Sequence, residues 1–183
     1  MVVPSAVTTE YWYSSSGSQL SSRRTVTEPA TGRPLGGGHY CERVSTFSLP
    51  VVPRYAEVDQ QGVVFNGHYL TWFDEACTGF LDHVGVTYPG LIATGHDIQV
   101  VHSEIDYLAG VRWRDSVRVA VQCGRIGSTS FTLGFTVLRR NADTEEQVAV
   151  RGQNVYVVVS TDDWSKRPIP DPLRDALGNP LRR

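Results

Sequence analysis

One segment restricts the fold of this chain more than any other. Tyr69, Phe73, Ala76, Cys77, Phe80 and Val84 recur at the spacing of a single helix face. Leu70, Trp72 and Leu81 add apolar positions beside that face, so the pattern predicts a long, central helix that stops at Gly85. Beyond the helix the chain reads as strand. Ile98–Tyr107, Ser116–Arg125, Ser130–Arg140 and Gln147–Ser160 are rich in Val, Phe, Tyr and Ile, with breaks at Gly110, Gly127-Ser128 and Asn141-Ala142-Asp143. A loop through Pro89, Gly90 and Gly95 separates helix from strands. Another strand precedes the helix, where Phe47, Leu49 and Val51 alternate with other residues and Pro50 and Pro53 mark a sheet edge. One helix against a five-stranded antiparallel sheet is an α+β arrangement. Such a sheet leaves a face and its edges open, and self-association is the usual way to close them.

Composition narrows the function classes. The 183 residues carry 17 Lys+Arg against 19 Asp+Glu, a formal charge of −2. That balance gives no electrostatic reason to expect nucleic acid or an anionic membrane as partner. Apolar residues at 40% are enough for a core, yet no apolar run is long enough for a membrane span. Cys41, Cys77 and Cys123 are odd in number and widely spaced, which suggests neither a disulfide framework nor a zinc site and fits a reducing cytoplasm. Of the first 46 residues, 22 are Ser, Thr, Gly or Pro, so residues 1–46 read as a flexible extension. The folded domain is expected over 47–178, and residues 179–183 read as a tail.

The chemistry-bearing pattern lies where the first strand hands over to the helix. Residues 59–76 read Asp-Gln-Gln-Gly-Val-Val-Phe-Asn-Gly-His-Tyr-Leu-Thr-Trp-Phe-Asp-Glu-Ala. This run resembles the signature of hotdog-fold acyl-CoA thioesterases, in particular the 4-hydroxybenzoyl-CoA thioesterase-like family. Ile105-Asp106-Tyr107-Leu108-Ala109, Arg125-Ile126-Gly127-Ser128-Thr129-Ser130-Phe131 and Arg167-Pro168-Ile169-Pro170 resemble further segments of that family. Asn66 and His68 exchange the types found in one bacterial branch, and Gly110 replaces a common proline. The resemblance implies a hotdog fold, with a sheet wrapped around one long helix and two subunits joined through their sheets. It implies hydrolysis of an acyl-CoA by a homodimer or homotetramer, with coenzyme A as part of the substrate and no metal or other cofactor.

The residues have physical roles to match. A thioester needs an attacking water or carboxylate and a group that stabilises the oxyanion. Asp59, ahead of the helix, can act as general base or as nucleophile, and the resemblance assigns the essential carboxylate to it. Read alone, an aspartate in a polar turn is a turn-former or helix cap. Unpaired N–H groups at a helix entrance carry the positive end of the dipole, and the resemblance places the oxyanion donor at Asn66. Asn66 also suits a helix N-cap. Gly67 leaves room for a ligand, and His68 titrates near neutrality. The resemblance puts Tyr69, Phe73 and Asp74 beside the acyl group. An alternative for Asp74 and Glu75 on a buried helix is an ion pair with Arg54 or Arg112. Six arginines, at 112, 114, 125, 139, 140 and 151, lie where coenzyme A phosphates could be met, and the sequence does not choose among them. The competing reading is a non-catalytic acyl-CoA- or acyl-carrier-binding hotdog protein, a reading that leaves Asp59 without a task.

Overall fold

The computed structural model of the chain describes residues 47–141 and 145–178. The expected extension at 1–46, with Cys41, and the tail at 179–183 lie outside the described residues. Strand β1 (Ser48–Val51) leads through a 3₁₀ turn at Tyr55–Glu57 into helix α1 (His68–His83). A short helix α2 (Tyr88–Ala93) follows, then β2 (His96–Tyr107), β3 (Ser116–Ile126), β4 (Ser130–Arg140), β5 (Gln147–Ser160) and helix α3 (Asp171–Gly178). The sheet order is β1-β3-β4-β5-β2, antiparallel throughout. Helix α1 therefore belongs to a crossover from one sheet edge to the other. The long helix and the five strands are those that the sequence predicts, with β4 and β5 at the expected bounds, and the short helices α2 and α3 are added to them.

Strand alternation builds the core. Val117, Val119 and Val121 of β3 and Phe131, Leu133, Phe135 and Val137 of β4 turn one face of the sheet toward α1 and are buried. The helix answers with Tyr69, Trp72, Phe73, Ala76, Cys77, Phe80 and Leu81. Phe73 stacks on Phe135 with centroids 4.5 Å apart and planes 8° from parallel. Directly behind it, a Cβ on Gly152 would sit 2.5 Å from Phe73 Cε2, so this position needs a residue without a side chain. Leu173 and Leu177 of α3 complete the core.

Helix α1 ends as its sequence dictates. Gly85 adopts φ +84°, and the Val86 N–H returns to the Leu81 carbonyl at 2.9 Å, which satisfies an otherwise orphaned acceptor. The segment read as a loop through Pro89 and Gly90 is instead α2. Thr87 caps it by accepting from the Gly90 N–H at 3.1 Å, and Pro89 lies within the first turn, where its missing N–H costs no helical bond. A second expectation also changes. The apolar stripe of α1 is wide enough to take in Trp72 and Leu81, but Leu70, Asp74 and Glu75 are exposed in the single chain. Hydration then stabilises the two carboxylates, and among the described residues neither forms an ion pair with Arg54 or Arg112.

Strand β2 forms an edge. Among the described residues it pairs with β5 alone, with a bulge that leaves Val101 out of register between Val100 and His102. Val100 and Val101 are among the more exposed apolar side chains of the described residues, as are Tyr107 and Leu108 beyond them.

Candidate active site

The segment between the 3₁₀ turn and α1 is a tight knot of backbone hydrogen bonds. Val58 bridges Val64, the Asp59 N–H donates to the Val63 carbonyl at 2.9 Å, and the Gly62 N–H returns to the Asp59 carbonyl at 3.0 Å. Gly62 closes the turn at φ +75°, a conformation that glycine adopts without steric cost. The Phe65 N–H donates to the Glu57 carbonyl and the Val64 N–H to the Val111 carbonyl, tying the knot to the loop after β2. Asp59 is therefore held at a fixed place ahead of α1. Its side chain is half-buried; Oδ1 accepts the Gln61 N–H at 2.8 Å, and Oδ2 has no partner among the described residues.

The helix entrance follows at once. Gly67 is the residue before α1, in helical geometry and with no side-chain cap, so Asn66 does not serve as the N-cap. Among the described residues, neither the Asn66 nor the Gly67 N–H reaches a backbone or side-chain acceptor. The Asn66 carbonyl is fixed from behind, accepting from the Tyr107 hydroxyl at 3.2 Å. Thus an oriented carboxylate and two unpaired amides at the positive end of a 16-residue helix lie within eight residues of one another.

The other residues singled out in the sequence take up distinct surroundings. His68, half-buried at the first turn of α1, meets the Phe65 ring edge-on at 6.0 Å. Phe65 also sits where a Cβ on Gly67 would point, 2.9 Å away. Tyr69 is buried edge-on against Trp72 and Tyr107. Burial raises its hydroxyl above the usual tyrosine range, against a backbone hydrogen bond with Val111. Phe73 is fully enclosed. Both side chains are closed to solvent in the single chain, while Leu70 and Asp74 beside them on α1 are exposed.

Three supporting groups have contacts that the sequence reading did not assign, Tyr107 and Asp115 among them although both stood in segments with a family resemblance. Tyr107 anchors Asn66; it stood inside a recognised segment, but only the fold brings it 41 residues back to the helix entrance. Glu57 is 3% exposed and accepts from the Arg54 side chain, the Arg54 N–H and Trp72 Nε1. Asp115, also buried, accepts the Arg112 N–H at 2.8 Å and Arg139 Nη1 at 3.3 Å, which fixes the loop between β2 and β3. No group of three or more His, Cys, Asp or Glu suited to a metal ion exists among the described residues.

A family model described as the thioesterase superfamily matches residues 61–145, which takes in the helix entrance, α1 and three strands. This part of the chain is similar to the thioesterase superfamily. Beyond the family match, the chain is similar to a 1,4-dihydroxy-2-naphthoyl-CoA hydrolase of Synechocystis, 22% identical over 135 residues, covering 73% of this chain and 96% of that one. A solved 1,4-dihydroxy-2-naphthoyl-CoA thioesterase from Synechocystis superposes with a TM-score of 0.65 at 22% identity, over 73% of this chain and 96% of its own. An aspartate-to-asparagine mutant of 4-hydroxybenzoyl-CoA thioesterase, solved with 4-hydroxybenzoyl-CoA, gives a TM-score of 0.65 at 15% identity, over 72% of this chain and 97% of its own. The shared architecture is the hotdog fold.

Proposed function

We propose that the chain is an acyl-CoA thioesterase in which Asp59 and the Asn66 N–H act on opposite sides of one thioester carbonyl. The match of residues 61–145 to the thioesterase superfamily model supports thioester hydrolysis as the reaction class. The observation that carries the residue assignment is the pairing of a backbone-locked Asp59, with one free carboxylate oxygen, and the unpaired amides just ahead of α1. In the general-base route, Asp59 removes a proton from water as the water oxygen bonds to the carbonyl carbon. The electron pair displaced onto the carbonyl oxygen is met by the Asn66 N–H and the helix dipole. Collapse of that adduct breaks the carbon–sulfur bond, and the departing thiolate takes up the proton. In the nucleophilic route, Asp59 itself bonds to the carbonyl carbon, the carbon–sulfur bond breaks to release the thiolate, and water then hydrolyses the mixed anhydride to the free acid, restores the Asp59 carboxylate and leaves a proton for the thiolate. Gly67 and His68 border the reacting group, while Tyr69, Phe73 and Asp74 shape the acyl end.

The unpaired β2 edge supports a homodimer, with the two sheets joined and the acyl group held between subunits. Asp59→Asn removes the base and the nucleophile yet retains an acceptor for the Gln61 N–H. We expect a loss of about 10²-fold or more in kcat with a wild-type circular dichroism spectrum. Full turnover by this variant, in an assay of thiol release from short, long and aromatic acyl-CoAs, overturns the assignment. Saturable acyl-CoA binding without thiol release by the wild type establishes the non-catalytic reading instead.

A further inference from the structure

Glu57 is a buried carboxylate that the hydrolytic chemistry does not use, and it stands two residues before Asp59. Its Oε1 accepts from Arg54 Nε at 3.0 Å and Nη2 at 2.6 Å, and its Oε2 accepts the Arg54 N–H at 2.8 Å. Oε1 also accepts from Trp72 Nε1 at 3.4 Å, which reaches across 15 residues to α1. Trp72 is itself buried, edge-on against Tyr69, so the carboxylate ties the 3₁₀ turn to the helix wall. The backbone of the same residue makes a second tie. Its carbonyl accepts the Phe65 N–H at 2.9 Å, one residue before Asn66. The Phe65 ring in turn lies against Gly67 and His68. Between these two ties, Val58 bridges Val64 and the Asp59 N–H donates to the Val63 carbonyl. Exchanging a buried ion pair for apolar residues is often neutral for stability, so stability alone gives little reason for a carboxylate here.

From this geometry we infer that Glu57 is a positioning residue for the Asp59–Asn66 pair, holding Asp59 by chain continuity, Asn66 through Phe65, and both against α1 through Trp72. The inference rests on the thioesterase reading above and deepens it. Asp59 and the Asn66 N–H have to stand on opposite sides of one carbonyl, and a misplacement of about 1 Å can cost ~10²-fold in rate. A single residue bonded to the segment before each group, and to the helix behind them, fixes their separation. Glu57 touches neither the substrate nor the reacting atoms and acts only through the residues it holds. Arg54 belongs to the same device, since its side chain and its N–H supply three of the four bonds that Glu57 accepts through its carboxylate.

Kinetics and amide hydrogen exchange on the full chain test this role. Glu57→Gln keeps the side-chain volume but sets an NH₂ against one of the donors. Assayed with acyl-CoAs below its melting temperature, it should lower kcat about tenfold or more while KM stays within about twofold. The Arg54 side chain is 69% exposed, so Arg54→Ala weakens the same anchor without touching the core. It should lower kcat in the same sense, about threefold. In both variants amide exchange should quicken across residues 58–68 and keep its wild-type rate in β4. An unchanged kcat in an active chain, unaltered exchange at 58–68, or exchange that quickens equally in β4 overturns the role. If the wild type hydrolyses no acyl-CoA, exchange that quickens only at 58–68 leaves Glu57 as the anchor of the turn and removes the thioesterase reading. Hydrolysis that requires Asp59 but runs at full rate in Glu57→Gln does the reverse.

Discussion

Glu57 holds a carboxylate inside the protein two residues before Asp59. Burial pushes its pKa up, but hydrogen bonds from the Arg54 side chain, the Arg54 N–H and Trp72, with the Arg54 charge, outweigh that and keep it below its usual 4.5. A carboxyl depressed in the folded state stabilises the fold fully above its unfolded pKa, and the contribution disappears as pH falls through the lower folded value. Thermal melts at stepped pH should therefore lose stability on the acid side of 4.5. Glu57→Gln should flatten that limb while costing about 1–2 kcal/mol at neutral pH. An unchanged acid limb in the variant means that Glu57 does not set it. Little of this residue's role was legible in the sequence. Arg54 is a near neighbour, but Trp72 lies 15 positions away, and no spacing rule reports that a glutamate in a polar turn will be covered. The setting of Asp59, a turn just ahead of α1, was legible for the opposite reason, since its turn, glycine and helix entrance follow one another along the chain.

At the scale of elements, strand alternation and the helical stripe were readable because each is a local period imposed by backbone geometry. Helix α2 was not. Its six residues are too few to show a period, and proline and glycine in them point to a loop unless the Thr87 cap is weighed. Equally hidden was the fit of α1 against β5 at Gly152. The closest contact there is between Phe73 and a backbone with no side chain, beside the Glu104 carbonyl, which lies 2.9 Å from where a Cβ on Gly152 would be. Gly152→Val should drive β5 away from Phe73 and cost about 1–3 kcal/mol or more. Phe73→Ala should cost about 3–5 kcal/mol through the cavity it leaves. Because the two act on one contact, urea melts of the double variant should show a smaller loss than the sum, and strict additivity excludes the coupling.

For the whole molecule, the open question in the sequence was which edge of the sheet meets a second copy, since strand pairing order is not written in local pattern. The structure distinguishes the two edges. β1 is four residues long and carries Pro50, which has no N–H to offer, whereas β2 runs for 12 residues with exposed Val100 and Val101. If β2 joins the subunits, Val101→Lys places a charge at the seam, which two-fold symmetry doubles. Sedimentation velocity should then show a shift from dimer toward monomer, with a matching fall in thioester turnover. A variant that keeps its wild-type sedimentation excludes β2 as the seam.

The inequality of the two borders also governs how far assembly by strand addition can proceed. A ribbon with two adhesive margins can keep recruiting copies and grow into a fibre. If β2 is the seam, with β1 short and proline-bearing, each recruit would consume the one long margin of its mate, and growth by strand addition should halt at a stoichiometry of two.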